Sequence, residues 1–418
     1  MLISAKLHSW FSRQSARAGE AAPQRNPPAR FGAQLLVSLW GAYLLFVAAR
    51  ASDAWLLKHV VLPNWYLPPT TLFGFRVARA ATAAVGLLML GLLAPRVGRW
   101  AGTQSPRRLA AYGLQTAVAT LLAVVASEAV VRSWDGRQPL WRKGKLEFRI
   151  GQPDERLGWV PIPSRSTLAR SGRGKLVHYR IDAWGYRSAS EHSAPDPSLP
   201  TLIVAGESIA FGHGLEYEQT FAAVLGQRLG LQVANAAVAG YGSDQAYLRM
   251  VDALSRFQRP VAVLTVFIPL QLRRSVQDYR PRLTLRGGKL AWQPPVVGFW
   301  SRWRLRDLCV NELPYLSDRA LSAAMEINAA IVRETATAAR ARGAEPIFLI
   351  PSFGPPRVLG EHAEEGIVRE LFERQGEPYL LIDIERSHIM PEDWHPDAAA
   401  ARQIAATVAD ALRPRLAR

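Results

Sequence analysis

The chain has 418 residues, a formal net charge of +17 and one cysteine, Cys309. That length leaves room for one sizeable α/β domain and further segments, while a single cysteine excludes an intramolecular disulfide framework, so Cys309 reads as a small buried apolar residue. The basic excess does not point to nucleic acid. The arginines are spread along the sequence, with no zinc-ligand spacing, basic helix run or aromatic RNA-binding motif beside them.

Residues 1–30 are polar and carry Lys6, Arg13, Arg17, Arg25 and Arg30 against one acid, Glu20, as expected of a cytosolic tail. Phe31 to Ala49 then runs without a charge for long enough to cross a bilayer as a helix, and it is too long and too far from the start for a cleaved signal. A second apolar run, Leu72 to Ala94, has Arg76 and Arg79 near its beginning, where long side chains can snorkel to the interface. A third, Leu109 to Val131, is bounded by Arg107, Arg108 and Arg132 and holds one acid, Glu128. Residues 31–132 therefore read as a membrane region with three transmembrane helices. Basic residues concentrate in the tail and in the loop between spans two and three, where Arg96, Arg99, Arg107 and Arg108 lie. That bias puts the tail in the cytosol. Three spans then place everything after Arg132 on the periplasmic side of an inner membrane.

Residues 133–200 are irregular, with prolines and glycines separating short alternating runs such as Lys145 to Ile150 and Leu176 to Ile181, and they predict a small β-rich connector with no catalytic spacing. Residues 201–418 alternate in type. Strands are expected at Thr201 to Ala205, Leu231 to Asn235, Val261 to Phe267, Glu345 to Ile350 and Pro378 to Ile384. Helices are expected at Gln219 to Leu229, Asp244 to Arg256, Ser317 to Arg342, Glu361 to Arg374 and Asp397 to Leu412. This alternation implies a mainly parallel sheet covered by helices on both faces. An insertion at about 273–316 breaks the rhythm and carries Trp292, Trp300 and Trp303. It reads equally as simple packing or as a functional surface: a lid, a platform for sugar rings or a segment leaning on the membrane.

The first strand runs into Gly206-Glu207-Ser208, so Ser208 falls at a strand-to-loop junction, where α/β sheets place reactive groups. A serine there needs a base to take its proton and donors for the oxyanion. After the second strand, Asn235-Ala236-Ala237-Val238-Ala239-Gly240-Tyr241-Gly242 is a glycine-containing turn able to offer backbone N–H groups at the same edge. After the last strand, Glu392-Asp393-Trp394-His395 puts carboxylates and an imidazole on one short loop, where a carboxylate can fix the tautomer of an imidazole that faces Ser208. His213 reads as a loop histidine and Asp244 as a helix cap.

Together, GESIAFGHG, NAAVAGYGSDQ and EDWHPDAAA resemble the SGNH or GDSL-type serine hydrolases, over a stretch of roughly half the chain. The resemblance implies a flavodoxin-like three-layer α/β domain that needs no metal or organic cofactor. It implies Ser208 as nucleophile, His395 as general base, and the N–H groups of Ser208 and Gly240 as oxyanion donors. For the orienting carboxylate, the commonest family spacing selects Glu392 and a spacing of two selects Asp393; Asp393 is favoured. Glu207 stands where the family has aspartate. The asparagine that the family places after the third strand as an oxyanion donor is absent from TVFIPLQLRR, leaving Gln271, Arg273 and Arg274 as replacements. The implied activity is that of a membrane-anchored ester hydrolase or O-acyl transferase acting on an acylated envelope or exported carbohydrate. If transfer is the reaction, a membrane partner supplies the acyl group. The rival expectation is a catalytically weakened domain serving as a carbohydrate-binding or assembly subunit of an envelope complex.

Overall fold

The computed structural model describes residues 26–61, 69–134, 150–170, 176–296, 298, 303–312, 315–352, 363–390 and 395–417. The chain forms two compact units, Met1–Asp53 with Pro69–Ala129, and Ala54–Pro68 with Val130–Arg418.

Three helices of the described residues are long and apolar enough to cross a membrane: Pro27–Arg50, Leu72–Gly102 and Pro106–Ser133. Each contains the corresponding apolar run. Helix α1 (Pro27–Arg50) and helix α2 (Pro69–Leu88) approach closely where Gly41 meets Gly86; a Cβ on either would come within 2.9 Å of the other's carbonyl oxygen. Such contact between small residues is how helices pack where no hydrophobic force distinguishes protein from lipid. Arg76 pairs with Asp53, Nη2 to Oδ2 at 2.5 Å, and Arg79 Nε donates to Ala48 O at 2.9 Å, so both arginines meet oxygens just beyond or near the end of α1. Leu36, Leu39, Phe46, Phe73 and Leu121 lie exposed along these helices, as lipid-facing residues would. Helix α3 spans Pro106–Trp134.

The second unit opens with two antiparallel hairpins, β1 (Gly151–Asp154) with β2 (Gly158–Pro161) and β3 (Arg165–Arg170) with β4 (Leu176–Ile181). Beyond them lie β5 (Thr201–Ala205), β6 (Gln232–Asn235), β7 (Pro260–Val266), and, past a hairpin of β8 (Arg282–Arg286) and β9 (Lys289–Gln293), β10 (Glu345–Ser352) and β11 (Tyr379–Asp383). β5, β6, β7, β10 and β11 form a five-stranded parallel sheet in the order β11-β10-β7-β5-β6. All five expected strands are present, with ends moved by a few residues.

Leu202 and Val204 of β5 pack with Phe221 and Leu225 of helix α5 (Phe221–Leu229) and with Ile404 and Val408 of helix α9 (Ala398–Leu416). Ile203 and Ala205 face the other way, against Met250 and Leu254 of helix α6 (Ser243–Arg256). Every residue of β5 is buried, as a strand covered on both faces requires, and the period-two alternation divides its side chains between the layers. Helix α8 (Asp318–Ala341) lies on the α6 side, starting where Ser317 Oγ accepts from Ala320 N. The strand order reverses between β5 and β7, the flavodoxin-like switch point whose crevice receives ligands in doubly wound sheets.

Two expectations change. Cys309 is exposed, because it lies on a short helical turn at the outside of the insertion and not in the core. Asp244 lies inside the first turn of α6, whose N-cap is Gly242; its buried carboxylate accepts from Gln245 N at 2.9 Å and Leu283 N at 3.3 Å, tying the helix to β8. Burial raises the pKa of Asp244, and the Arg280 charge opposes that shift. Trp292 Nε1 donates to Arg156 O at 3.0 Å, so this tryptophan packs β9 against the connector; Trp300 lies outside the described residues.

Candidate active site

Gly206 makes the turn after β5 possible. Its φ is 149°, and a Cβ there would sit 2.8 Å from Ala210 Cβ and 3.0 Å from Val266 Cβ. The chain then enters the one-turn helix α4 (Ser208–Phe211), with the carboxylate of Glu207 accepting from Ile209 N at 3.0 Å as its cap. Gly212 closes that turn at φ 79°, where a Cβ would run into Thr220 Cγ2.

His395 arrives from the far edge of the sheet. Ile389 and Pro396 form an antiparallel bridge, Met390 N donates to His395 O at 2.8 Å, and Asp397 N donates to His388 O at 2.9 Å. Asp397 then caps α9 by accepting from Ala399 N and Ala400 N, at 2.8 and 2.9 Å. Held this way, His395 Nε2 lies 2.8 Å from Ser208 Oγ. Residues 187 positions apart in sequence thus meet at hydrogen-bond distance, in the crevice at the strand ends. Glu392 and Asp393 lie outside the described residues.

Two side chains modify this pair. Ser208 Oγ also donates to Glu207 Oε2 in the structure. A hydroxyl carries one proton, so Glu207 and His395 compete for it. His213 packs its ring against His395, with centroids 4.3 Å apart and planes inclined by 35°. The spacing GHG held no signal for that contact; the left-handed Gly212 that aims His213 inward becomes visible only with the backbone.

The second block reaches the same crevice. Val238 N donates to Gly206 O at 3.2 Å, and Asn235 Nδ2 donates to Ala210 O at 2.9 Å. Among the described residues no acceptor is bonded to the N–H of Ser208 or of Gly240. Gln271, on helix α7 (Leu270–Val276) after β7, is buried; its Oε1 accepts from Ser243 Oγ at 3.1 Å and its Nε2 donates to Val266 O at 3.4 Å. Both ends of that carboxamide thus have partners within the chain. Arg274 Nη1 donates to Tyr241 O at 2.8 Å. Burial pulls the Arg274 guanidinium down to about 10, and the Glu207 carboxylate works against the shift, which places a cation close behind the Ser208 loop.

The connector, which carried no catalytic spacing, forms one wall of the site. Tyr179 of β4 stacks on Phe211, centroids 5.7 Å apart, and its hydroxyl accepts from Gly214 N at 2.8 Å. Arg187 is buried beneath, donating from Nη2 to His178 O and Leu215 O, both at 3.2 Å, and lying 5.0 Å over the Tyr179 ring.

No family model matches the chain, and no curated protein matches it. Solved structures do. The chain is similar to a protein of the G-D-S-L family from Desulfitobacterium hafniense at 13% identity, over 50% of this chain and 98% of that one, with a TM-score of 0.30. It is similar to an acetyl xylan esterase from the rumen bacterium Butyrivibrio proteoclasticus at 12% identity, over 54% of this chain and 66% of that one, TM-score 0.32. A carbohydrate acetylesterase from Sinorhizobium meliloti gives 12% identity, over 51% and 99%, TM-score 0.30. The crevice itself holds a serine–histidine pair at the switch point of a doubly wound α/β domain.

Proposed function

We propose that the chain is a membrane-anchored serine ester hydrolase of SGNH type, or an O-acyl transferase built on the same acyl-enzyme chemistry. The observation that carries this reading is the 2.8 Å approach of Ser208 Oγ to His395 Nε2. Ser208 attacks the ester carbonyl as His395 takes its proton. The oxyanion meets the N–H groups of Ser208 and Gly240, and His395 returns the proton to the departing alcohol. Water or a sugar hydroxyl then releases the acyl group from Ser208 by the reverse sequence. Asp393, with Glu392 as alternative, orients the imidazole. An acylated envelope or exported carbohydrate is the substrate that the family resemblance suggests, and transfer would call for a membrane partner that delivers the acyl group.

The test is labelling of the membrane-embedded protein by a fluorophosphonate. Labelling is expected in the wild-type chain and not in Ser208→Ala. A folded wild-type protein that stays unlabelled would remove the enzyme reading and leave the rival, a carbohydrate-binding or assembly module. One observation favours that rival: the Ser208 hydroxyl donates to Glu207, and in that state the proton is not on its way to His395.

The orientation proposed is multi-pass in an inner membrane, with the catalytic domain on the periplasmic side. The basic residues of the tail and of the stretch between spans two and three carry the direction, and the loop between the first two spans supports the count of three. His59 O accepts from Leu316 N at 2.9 Å, His59 Nδ1 lies 2.7 Å from Leu316 O, and Trp55 stacks on Tyr315 with centroids 5.6 Å apart. That loop belongs to the same compact unit as the catalytic domain, so it shares a side of the membrane with it, as three spans require. Alkaline phosphatase fused after Arg418 is expected to be active in intact cells. Activity only of a fusion near the N-terminus would reverse the assignment.

A further inference from the structure

The proposed oxyanion turn has an unusual support. Tyr241 N donates to Val238 O at 3.2 Å, closing a four-residue turn, and Gly240 in its third position has a φ of 82°. A positive φ there marks a type II turn, which differs from type I by a flip of the central peptide. That peptide joins Ala239 to Gly240. Because a trans peptide points its C=O and N–H in opposite directions, whatever holds Ala239 O also decides where Gly240 N–H points.

Three consecutive carbonyls of this turn are each held by a side chain from outside it. Trp159 Nε1 of β2 donates to Ala239 O at 3.3 Å. Arg280, just before β8, donates from Nη2 to Gly240 O at 2.9 Å, and Arg274 of α7 donates to Tyr241 O at 2.8 Å. The three supports also hold one another. The Arg280 guanidinium lies 5.1 Å over the Trp159 ring and donates to Gln245, while Tyr241 donates its hydroxyl to Trp159 O at 2.6 Å. Trp159 and Arg280 are buried, so none of this is a surface accident. Trp159 and Arg280 lie in the connector and the insertion, segments outside the family resemblance.

We propose that Trp159, Arg274 and Arg280 are positioning residues that lock the Ala239–Gly240 peptide in its flipped state, aiming the Gly240 N–H at the oxyanion in a site without the family's asparagine. The two guanidinium groups also place positive charge behind the peptide dipoles that face the developing negative charge, where a low-dielectric interior makes it count. Trp159 is the sharpest member, because it alone holds the carbonyl of the peptide that carries the donor.

This inference rests on the serine-hydrolase reading and can fail separately from it. In the full-length chain in lipid nanodiscs, Trp159→Phe keeps an aromatic ring, though a smaller one, and removes the N–H, while Arg280→Met keeps most of the stem and removes the charge. With p-nitrophenyl acetate each is expected to lower kcat by about tenfold to a hundredfold, up to the loss of one oxyanion donor, with KM changed by less than about twofold. The inhibition constant of a trifluoromethyl ketone, whose serine adduct carries the oxyanion, should rise by the same factor as kcat/KM falls. The double variant should lose less than the product of the two factors, since both act through one turn. A wild-type rate in both single variants, or a change in KM alone, overturns the inference while Ser208-dependent turnover stands. Absence of Ser208-dependent turnover in the wild-type chain overturns the hydrolase reading and this inference with it. Loss of fold is judged by the melting temperature, and a variant that melts like wild type but turns over slowly supports the assignment.

Discussion

Replacing His395 with glutamine is expected to slow acylation of Ser208 by roughly four orders of magnitude, without unfolding the protein. Glutamine approximates the reach of the imidazole and can still bond to Ser208 Oγ, 2.8 Å away in the wild type, but it cannot hold the proton. The fold should tolerate the change because the loop is set by main-chain bonds: Met390 N to His395 O, Asp397 N to His388 O, and the Ile389–Pro396 bridge. What remains would be the contribution of the oxyanion donors and of binding, which in serine hydrolases leaves a residual rate well above that in water. The check is the second-order rate of fluorophosphonate labelling beside that of Ser208→Ala. If His395→Gln labels within tenfold of wild type, the imidazole is not the base. Glu207, the other group that accepts the Ser208 proton, would then be the candidate.

Much of the framework was legible because it is written locally. The uncharged run from Phe31 to Ala49 requires a helix in lipid, and the apolar TLIVA ahead of Gly206 requires a buried strand and a turn. The order of strands and helices fixed the parallel sheet, and with it the edge where Ser208, Gly240 and His395 gather. RLTLRGGKLAW also alternates about two glycines, the pattern of a tight hairpin, and β8–β9 turns there with φ of 57° and 77° at Gly287 and Gly288.

What stayed hidden depends on contacts between distant residues. Trp159 finds Ala239 across 80 positions, and neither neighbourhood carries a pattern that names the other. His213 looked like a loop residue because its partner, His395, is 182 positions away by residue number. The four-residue α4 and seven-residue α7 are too short for a helical period to show. Arg187 was one basic residue among 51, in a segment with no motif.

Arg187→Met is expected to destabilise the second unit by about 3 to 5 kcal/mol, the range found for breaking buried polar networks and deleting large buried side chains. Arg187 is 1% exposed, and its guanidinium reaches four carbonyl oxygens, those of His178, Arg180, Ser188 and Leu215, with distances from 3.2 to 3.4 Å. No carboxylate bonds it among the described residues. Burial draws its pKa down to about 10, with Tyr179 and Glu216 resisting, and the faces of Tyr179, Phe211 and Tyr217 surround it at 5.0, 5.6 and 5.9 Å. Methionine could fill part of the space, but it would take the guanidinium away from all four carbonyls, of which Arg180 O would keep its bond from Ser188 N at 3.1 Å. The Leu215 bond matters most for function, because Leu215 ends the loop that presents His213. A melting temperature lower by roughly 10 °C should therefore come with slower labelling of Ser208 at temperatures where the variant is still folded. Arg187→Lys should recover little of either, since one ammonium cannot reproduce the planar fork that spans these oxygens. A melting point within 2 °C of wild type, or full recovery by lysine, would mean that the arginine is not what fastens the connector to the active-site loop.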